Sequence, residues 1–223
     1  MKKTPEKAVP TMKNILCFGD SNTFGSDPTG KTPRHPRTVR WPGRLQSLLG
    51  EEYYVIEEGL GGRTTVWDNP LADNRCGLWF LPAALQSHQP LDLVILSLGT
   101  NDCKTIFSRS PRIITRGMGR LVDVVKRFAY RDGRVPKILL VAPIAIGADV
   151  EQSVFECFDN QSIETARQLG PLYEALARQT GCEYLNAALY AQPGCDQLHM
   201  TGEGHLALAD AIAAKVRQML ETE

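Results

Sequence analysis

Five short apolar runs recur along the chain, at residues 15–18, 53–56, 93–98, 138–142 and, more weakly, 184–185. Three of them are continuous rather than alternating, the pattern of strands buried on both faces of a parallel sheet. Between them the apolar positions return every three or four residues, which predicts helices over 44–49, 77–87, 113–130 and 161–179. A final helix follows Thr201, a good N-cap, with Ala209, Ile212, Ala213, Val216 and Leu220 at helical spacing. Strand–helix alternation five times over predicts a three-layer αβα sandwich around a five-stranded parallel sheet. Ligands gather beyond the carboxyl ends of the strands in such sheets. Residues that carry chemistry should therefore follow the apolar runs.

Length and charge narrow the class. At 223 residues the chain fits one well-buried domain over 1–223, with 1–13 read as an N-terminal extension. Lys+Arg and Asp+Glu balance at 25 each, so no global field collects nucleic acid or an anionic membrane. The start of the chain has lysines but no signal-peptide apolar run, and no stretch approaches a membrane span. The expectation is a cytoplasmic protein with no membrane or nucleic-acid partner. Six scattered cysteines show no CxxC or zinc spacing, and in that compartment read as reduced thiols.

The first run ends in Gly19-Asp20-Ser21-Asn22-Thr23-Phe24-Gly25, a serine on a turn where a strand end exposes its hydroxyl. The same spelling also suits an ordinary helix N-cap. The second run leads to Glu57-Glu58-Gly59-Leu60-Gly61-Gly62-Arg63-Thr64-Thr65, whose glycines let backbone N–H groups approach a ligand or simply turn the chain. The third ends in Leu98-Gly99-Thr100-Asn101-Asp102, where an amide donor reaches the same end of the sheet. After the fifth comes Asp196-Gln197-Leu198-His199. Of the four histidines, His199 has an acid three residues upstream at a strand-to-helix junction. A carboxylate there can fix the tautomer of the ring and support its protonated form.

These four segments, in this order, resemble the blocks of the SGNH hydrolase (GDSL esterase/lipase) superfamily. EEGLGGRTT, with Arg40-Trp41-Pro42-Gly43 before it, is similar to the arylesterase/acyltransferase branch. Asn22 departs from the Leu of the family spelling. The resemblance implies a flavodoxin-like fold and a serine esterase acting on short-chain acyl or aryl esters. It implies Ser21 as nucleophile, His199 as base and Asp196 as its partner. The oxyanion donors would be Ser21, Asn101 and Gly62, the last favoured over Gly61 by the GRTT tail. No metal or organic cofactor is implied, and the partner is a small-molecule ester. Similar arylesterases associate, so a homo-oligomer is expected, and acyl transfer and carbohydrate acetyl esters are further readings.

Rival chemistries are visible. Gly25-Ser26-Asp27-Pro28-Thr29-Gly30-Lys31-Thr32 matches the P-loop pattern, but six residues separate it from the end of the first run and Pro33 follows the Lys-Thr. Asp20, Asp102, Asp196, His199 and His205 offer ligands for a metal-dependent phosphoesterase. A non-catalytic binding module for acylated ligands is the reading from another class. For substrate contacts the candidates are Asp20, Phe24, Trp41 and Ile106, with Trp67, Trp79 and Phe80 as further apolar neighbours. The segment 144–160 is expected to form a lid, a pocket wall or a subunit contact.

Overall fold

In the computed structural model, residues 12–221 are described. All five apolar runs form strands: β1 (Lys13–Gly19), β2 (Tyr53–Gly59), β3 (Leu93–Ser97), β4 (Lys137–Ala142) and β5 (Glu183–Asn186). They pair in parallel throughout, in the lateral order β2-β1-β3-β4-β5. Most of the segment expected as an N-terminal extension lies outside the described residues, and Lys13 opens β1.

The period-two alternation of strand side chains builds two cores. Leu16, Phe18, Val94, Leu96, Ile138 and Leu140 face α3 (Gly77–His88), α4 (Pro111–Arg127) and α5 (Asn160–Thr180). Ile15, Cys17, Leu93, Ile95, Leu139 and Val141 face α2 (Trp41–Leu49) and α6 (Gly202–Leu220). These are the three layers expected from the sequence. The helix expected over 113–130 starts earlier because Pro111 suits a first helical position. It ends earlier because Phe128 turns extended.

One element escaped the periodicity. The single turn α1 (Ser21–Phe24) follows β1 directly, with Asp20 as its N-cap and Gly25 ending it at φ +89°. Four residues are too few to show a helical repeat. The chain winds one way from β1 to β2 and the other way from β3 onward, so α1 opens onto the crevice between these halves.

The P-loop-like stretch builds no helix. The Asp27 carboxylate accepts hydrogen bonds from the backbone and hydroxyl of both Thr29 and Thr32, closing the loop on itself. All six cysteines are unpaired thiols. Among the described residues no helix is long and apolar enough to cross a membrane.

Candidate active site

Parallel register places Gly19 beside Gly59 on one side and Ser97 on the other. Three of the four motif blocks thus leave the sheet from adjacent strand ends. The tight fit is visible at Gly59, where a Cβ would lie 2.1 Å from the Phe24 nitrogen, so only glycine lets α1 settle over β2.

Asp20 organises α1. Its side chain accepts the Asn22 N–H at 2.9 Å, and its carbonyl accepts those of Thr23 and Phe24. The first turn of a helix leaves donors without intrahelical partners. Here the Ser21 N–H is the one that none of these bonds uses. Burial raises the Asp20 carboxyl to about 6, against the hydrogen bond from Asn22.

The second and third blocks are laced to each other and to β1. Arg63 Nη1 donates to the Gly19 carbonyl at 2.9 Å and to the Glu58 carbonyl, while its guanidinium lies 4.1 Å from the Phe18 ring centre. Burial lowers its pKa to about 10. The Asn101 amide nitrogen donates to the Arg63 carbonyl at 3.1 Å. An amide NH₂ carries two protons, so one remains for a ligand. Asp102 is fully buried and accepts both the backbone N–H and the hydroxyl of Thr65. Burial pushes its carboxyl up to about 7 despite those bonds. Gly62 sits at φ +77°, and a Cβ there would lie 3.2 Å from the Arg75 side chain. Neither Gly61 nor Gly62 donates its N–H to a backbone carbonyl among the described residues.

The fourth block is a tight turn. Pro193 bridges to Met200, the Gly194 N–H donates to the His199 carbonyl at 2.7 Å, and Gln197 takes φ +70°. Within it, Asp196 Oδ1 accepts the N–H groups of Leu198 and His199 at 3.0 and 2.9 Å. Asp196 Oδ2 lies 2.6 Å from His199 Nδ1. Burial raises the Asp196 pKa, but the hydrogen bonds from the ring and backbone of His199 and from Leu198 outweigh it and hold the carboxylate below its usual range. A proton on Nδ1 leaves Nε2 as the basic nitrogen.

The turn reaches α1 through Asn22, whose amide donates to the Leu198 carbonyl at 3.2 Å and accepts the Met200 N–H at 3.0 Å. The Ser21 hydroxyl makes no hydrogen bond among the described residues. In unliganded enzymes such bonds often tighten only when substrate binds.

His199 and Asp196 form one wall of a cleft of about 460 Å³. Ser26, Asp27 and Thr29 line another side, and Gln152 to Phe155 a third. Phe155 stands edge-on to the His199 ring, with centroids 5.5 Å apart. The segment 144–160 therefore contributes a pocket wall, one of the three roles expected for it. A larger cleft, about 600 Å³ between α4 and α5, carries none of the motif residues.

The expected substrate contacts fare unevenly. Asp20 is buried as a cap and does not line this cleft. Trp41 is only 1% exposed, locked in the α2–α6 core with its backbone N–H donated to His205 Nδ1. It lies next to a motif in sequence, but the helix turns its ring away from solvent. Phe24 is half-buried beneath the Arg34 guanidinium, and Ile106 sits partly exposed on a 3-10 turn outside the cleft lining. The bridging roles of Asn22, Arg63 and Asp102 were not foreseen. The one signal was the amide at position 22 where the family spelling has Leu.

The candidate metal ligands do not converge. Asp102 is turned onto Thr65, Asp196 onto His199, and His205 accepts from Trp41. Among the described residues no group of three His, Cys, Asp or Glu side chains could hold a metal ion.

Residues 17–207 match the GDSL-like lipase/acylhydrolase family. A carbohydrate acetylesterase family member from Sinorhizobium meliloti is 37% identical at a TM-score of 0.88, covering 94% of this chain and 100% of that one. The aryl esterase of M. smegmatis is 37% identical at a TM-score of 0.87, covering 93% and 100%. An acetylxylan esterase from Xylanibacter ruminicola is 24% identical over a gapped alignment of 237 positions that covers 95% of this chain. The chain spans 45% of the length of that curated relative.

Proposed function

The chain belongs to the GDSL-like lipase/acylhydrolase family, and on that premise we propose that it is a serine esterase with Ser21 as nucleophile. The observation that carries this reading is the 2.6 Å hydrogen bond between Asp196 and His199 on a turn bound to α1. Ser21 Oγ attacks the ester carbonyl carbon as its proton passes to His199 Nε2. The tetrahedral oxyanion is held by the N–H groups of Ser21 and Gly62 and by the second proton of the Asn101 amide. The C–O bond of the ester then breaks, and His199 returns the proton to the departing alcohol. Water repeats the sequence on the acyl-enzyme, releasing the carboxylic acid and restoring Ser21.

The preferred substrates in this proposal carry a short acyl group, acetyl above all, on an aryl or other small alcohol. A second reading, an acetylated carbohydrate, is favoured by the hydroxyl, amide and carboxylate groups of Ser26, Asp27, Thr29, Gln152 and Ser153 around the cleft. The relative kcat/KM on phenyl acetate and on acetylated xylo-oligosaccharides separates the two. Phe155, packed edge-on to the His199 ring, would shield an acyl-enzyme from water, which supports acyl transfer to alcohols. Exposed Leu71, Trp79 and Val154 supply surface that a second copy would bury, in keeping with a homo-oligomer. Six free thiols suit the reducing cytoplasm.

The test is hydrolysis of p-nitrophenyl acetate by wild type and Ser21→Ala, each with and without EDTA. Chelator-resistant turnover that disappears in Ser21→Ala is the expected result. Turnover surviving that substitution overturns the mechanism, and ligand binding without turnover in wild type points to a binding module.

A further inference from the structure

We propose that Asn22 is a positioning residue, a two-point amide clamp that holds the His199 backbone in register with the nucleophile next to it. The inference rests on the serine-esterase reading of this site. Asn22 is buried, and both halves of its amide are used. The groups it binds are the Leu198 carbonyl and the Met200 N–H, one on each side of His199. They lie 176 and 178 residues away along the chain.

The other bonds that shape the turn do not reach α1. Asp196 and Gly194 bind His199 from within residues 193–200 and move with it, and Gly147 ties Gln197 to the loop after β4. Among the described residues, the two Asn22 bonds are the only hydrogen bonds between α1 and residues 193–200. Asn22 itself is fixed at its base, since its N–H is held by the Asp20 carboxylate. Ser21 and Asn22 share that one helical turn, so the clamp converts the position of the serine into the position of the ring. A misplacement of about 1 Å at such a site can cost about 10² in rate.

An amide suits this place because it must donate and accept at once. Leucine offers neither function and leaves a buried carbonyl and N–H without partners. An ionised aspartate accepts from Met200 but sets an oxygen against the Leu198 carbonyl. Its protonated form has a hydroxyl that donates to that carbonyl, and so restores both bonds.

The experiment compares wild type, Asn22→Leu, Asn22→Asp and Ser21→Ala on p-nitrophenyl acetate from pH 5 to 9. Thermal melts accompany each set. Asn22→Leu should lower kcat by about 10–100-fold with KM within about threefold, as loss of general-base positioning predicts. Asn22→Asp should recover activity toward acid pH relative to wild type and lose it as the new carboxyl ionises. A residue that served only stability would give a uniform loss with an unchanged pH profile. Folded Asn22→Leu with wild-type kcat, or an Asn22→Asp profile parallel to wild type, overturns the clamp. Where Asn22→Leu does not fold, the Asn22→Asp profile decides. Loss of turnover in Ser21→Ala beside an unaffected Asn22 series rejects the clamp alone, whereas turnover retained in Ser21→Ala rejects the esterase mechanism beneath it.

Discussion

Replacing Asp196 by Asn tests the proposed base most directly, because the structure separates the two jobs of this carboxylate. Oδ1 accepts the Leu198 and His199 N–H groups, and an Asn carbonyl oxygen does so equally well. Oδ2 takes the ring contact at 2.6 Å, near the short end for a charge-assisted bond. An NH₂ group there faces a ring N–H and favours the other tautomer. The proton then sits on Nε2, and the nitrogen that should accept from Ser21 becomes a donor. In the Ser-His-Asp template the same exchange costs about 10⁴ in kcat, or roughly 5.5 kcal/mol of barrier.

The assay is steady-state p-nitrophenyl acetate hydrolysis at pH 8, paired with thermal melts. The Asp196→Asn melt should stay within a few degrees of wild type, since the backbone anchors survive. Acid cannot imitate the variant in the assay range. The folded pKa of Asp196 is depressed, so its stabilising contribution is complete above the unfolded value near 3.9. It is lost only as pH falls through the folded value. A folded Asp196→Asn protein retaining more than about a tenth of wild-type kcat refutes the assignment of His199 as a base oriented by this carboxylate.

Two further substitutions probe the donors and the lacing beneath them. Asn101→Ala should lower kcat by roughly 10²–10³ with little change in KM. It also strips the Arg63 carbonyl of its partner, which should cost about 1–3 kcal/mol in chemical denaturation. A rise in KM at constant kcat makes Asn101 a substrate-binding residue instead. Asp102→Asn should change how stability varies with pH. The folded pKa of Asp102 is raised to about 7 from an unfolded value near 3.9. The wild-type contribution is therefore fully present below pH ~3.9 and lost as pH rises to ~7. Melts from pH 4 to 7 should show wild type losing ground to Asp102→Asn, and parallel curves count against a buried, proton-binding Asp102.

The strands were legible because a parallel sheet buried on both faces demands continuous apolar sequence, and residues 15–18, 93–98 and 138–142 supply it. Their carboxyl ends then pointed to Ser21, the glycines of the second block and Asn101 without reference to contacts, since neighbouring strands in register bring those ends together, while the choice of Gly62 rested on the family resemblance. Asp196 and His199 were legible for a different reason, because their bond closes within four residues of sequence. Asn22 and Asp102 were not, because their partners lie 176 and 37 residues away and no local pattern records such a bond. Trp41 shows the converse error. Nearness to a motif in sequence says nothing about which way a helix turns its rings, and the α2–α6 core takes this one.

The same distinction explains why the proposed chemistry is easier to read than the alcohol it would release. Attack, proton transfer and oxyanion binding need groups at fixed mutual positions, and adjacent strand ends with short turns hold such groups in place. The cleft beside His199 has another origin. Its walls come from residues 26–30, 152–155 and 195–199, loops that meet only after the fold has formed. Asp27 closes the first of these on itself through Thr29 and Thr32, and Phe155 sets the second against the His199 ring. Changing a loop residue such as Gln152 or Val154 alters the shape offered to the leaving alcohol while leaving Asp196, His199 and the strand ends untouched. On the proposed mechanism, discrimination between aryl and carbohydrate esters is therefore expected from side chains that carry no motif, and kcat/KM ratios between substrates should follow them more closely than any residue of the four blocks.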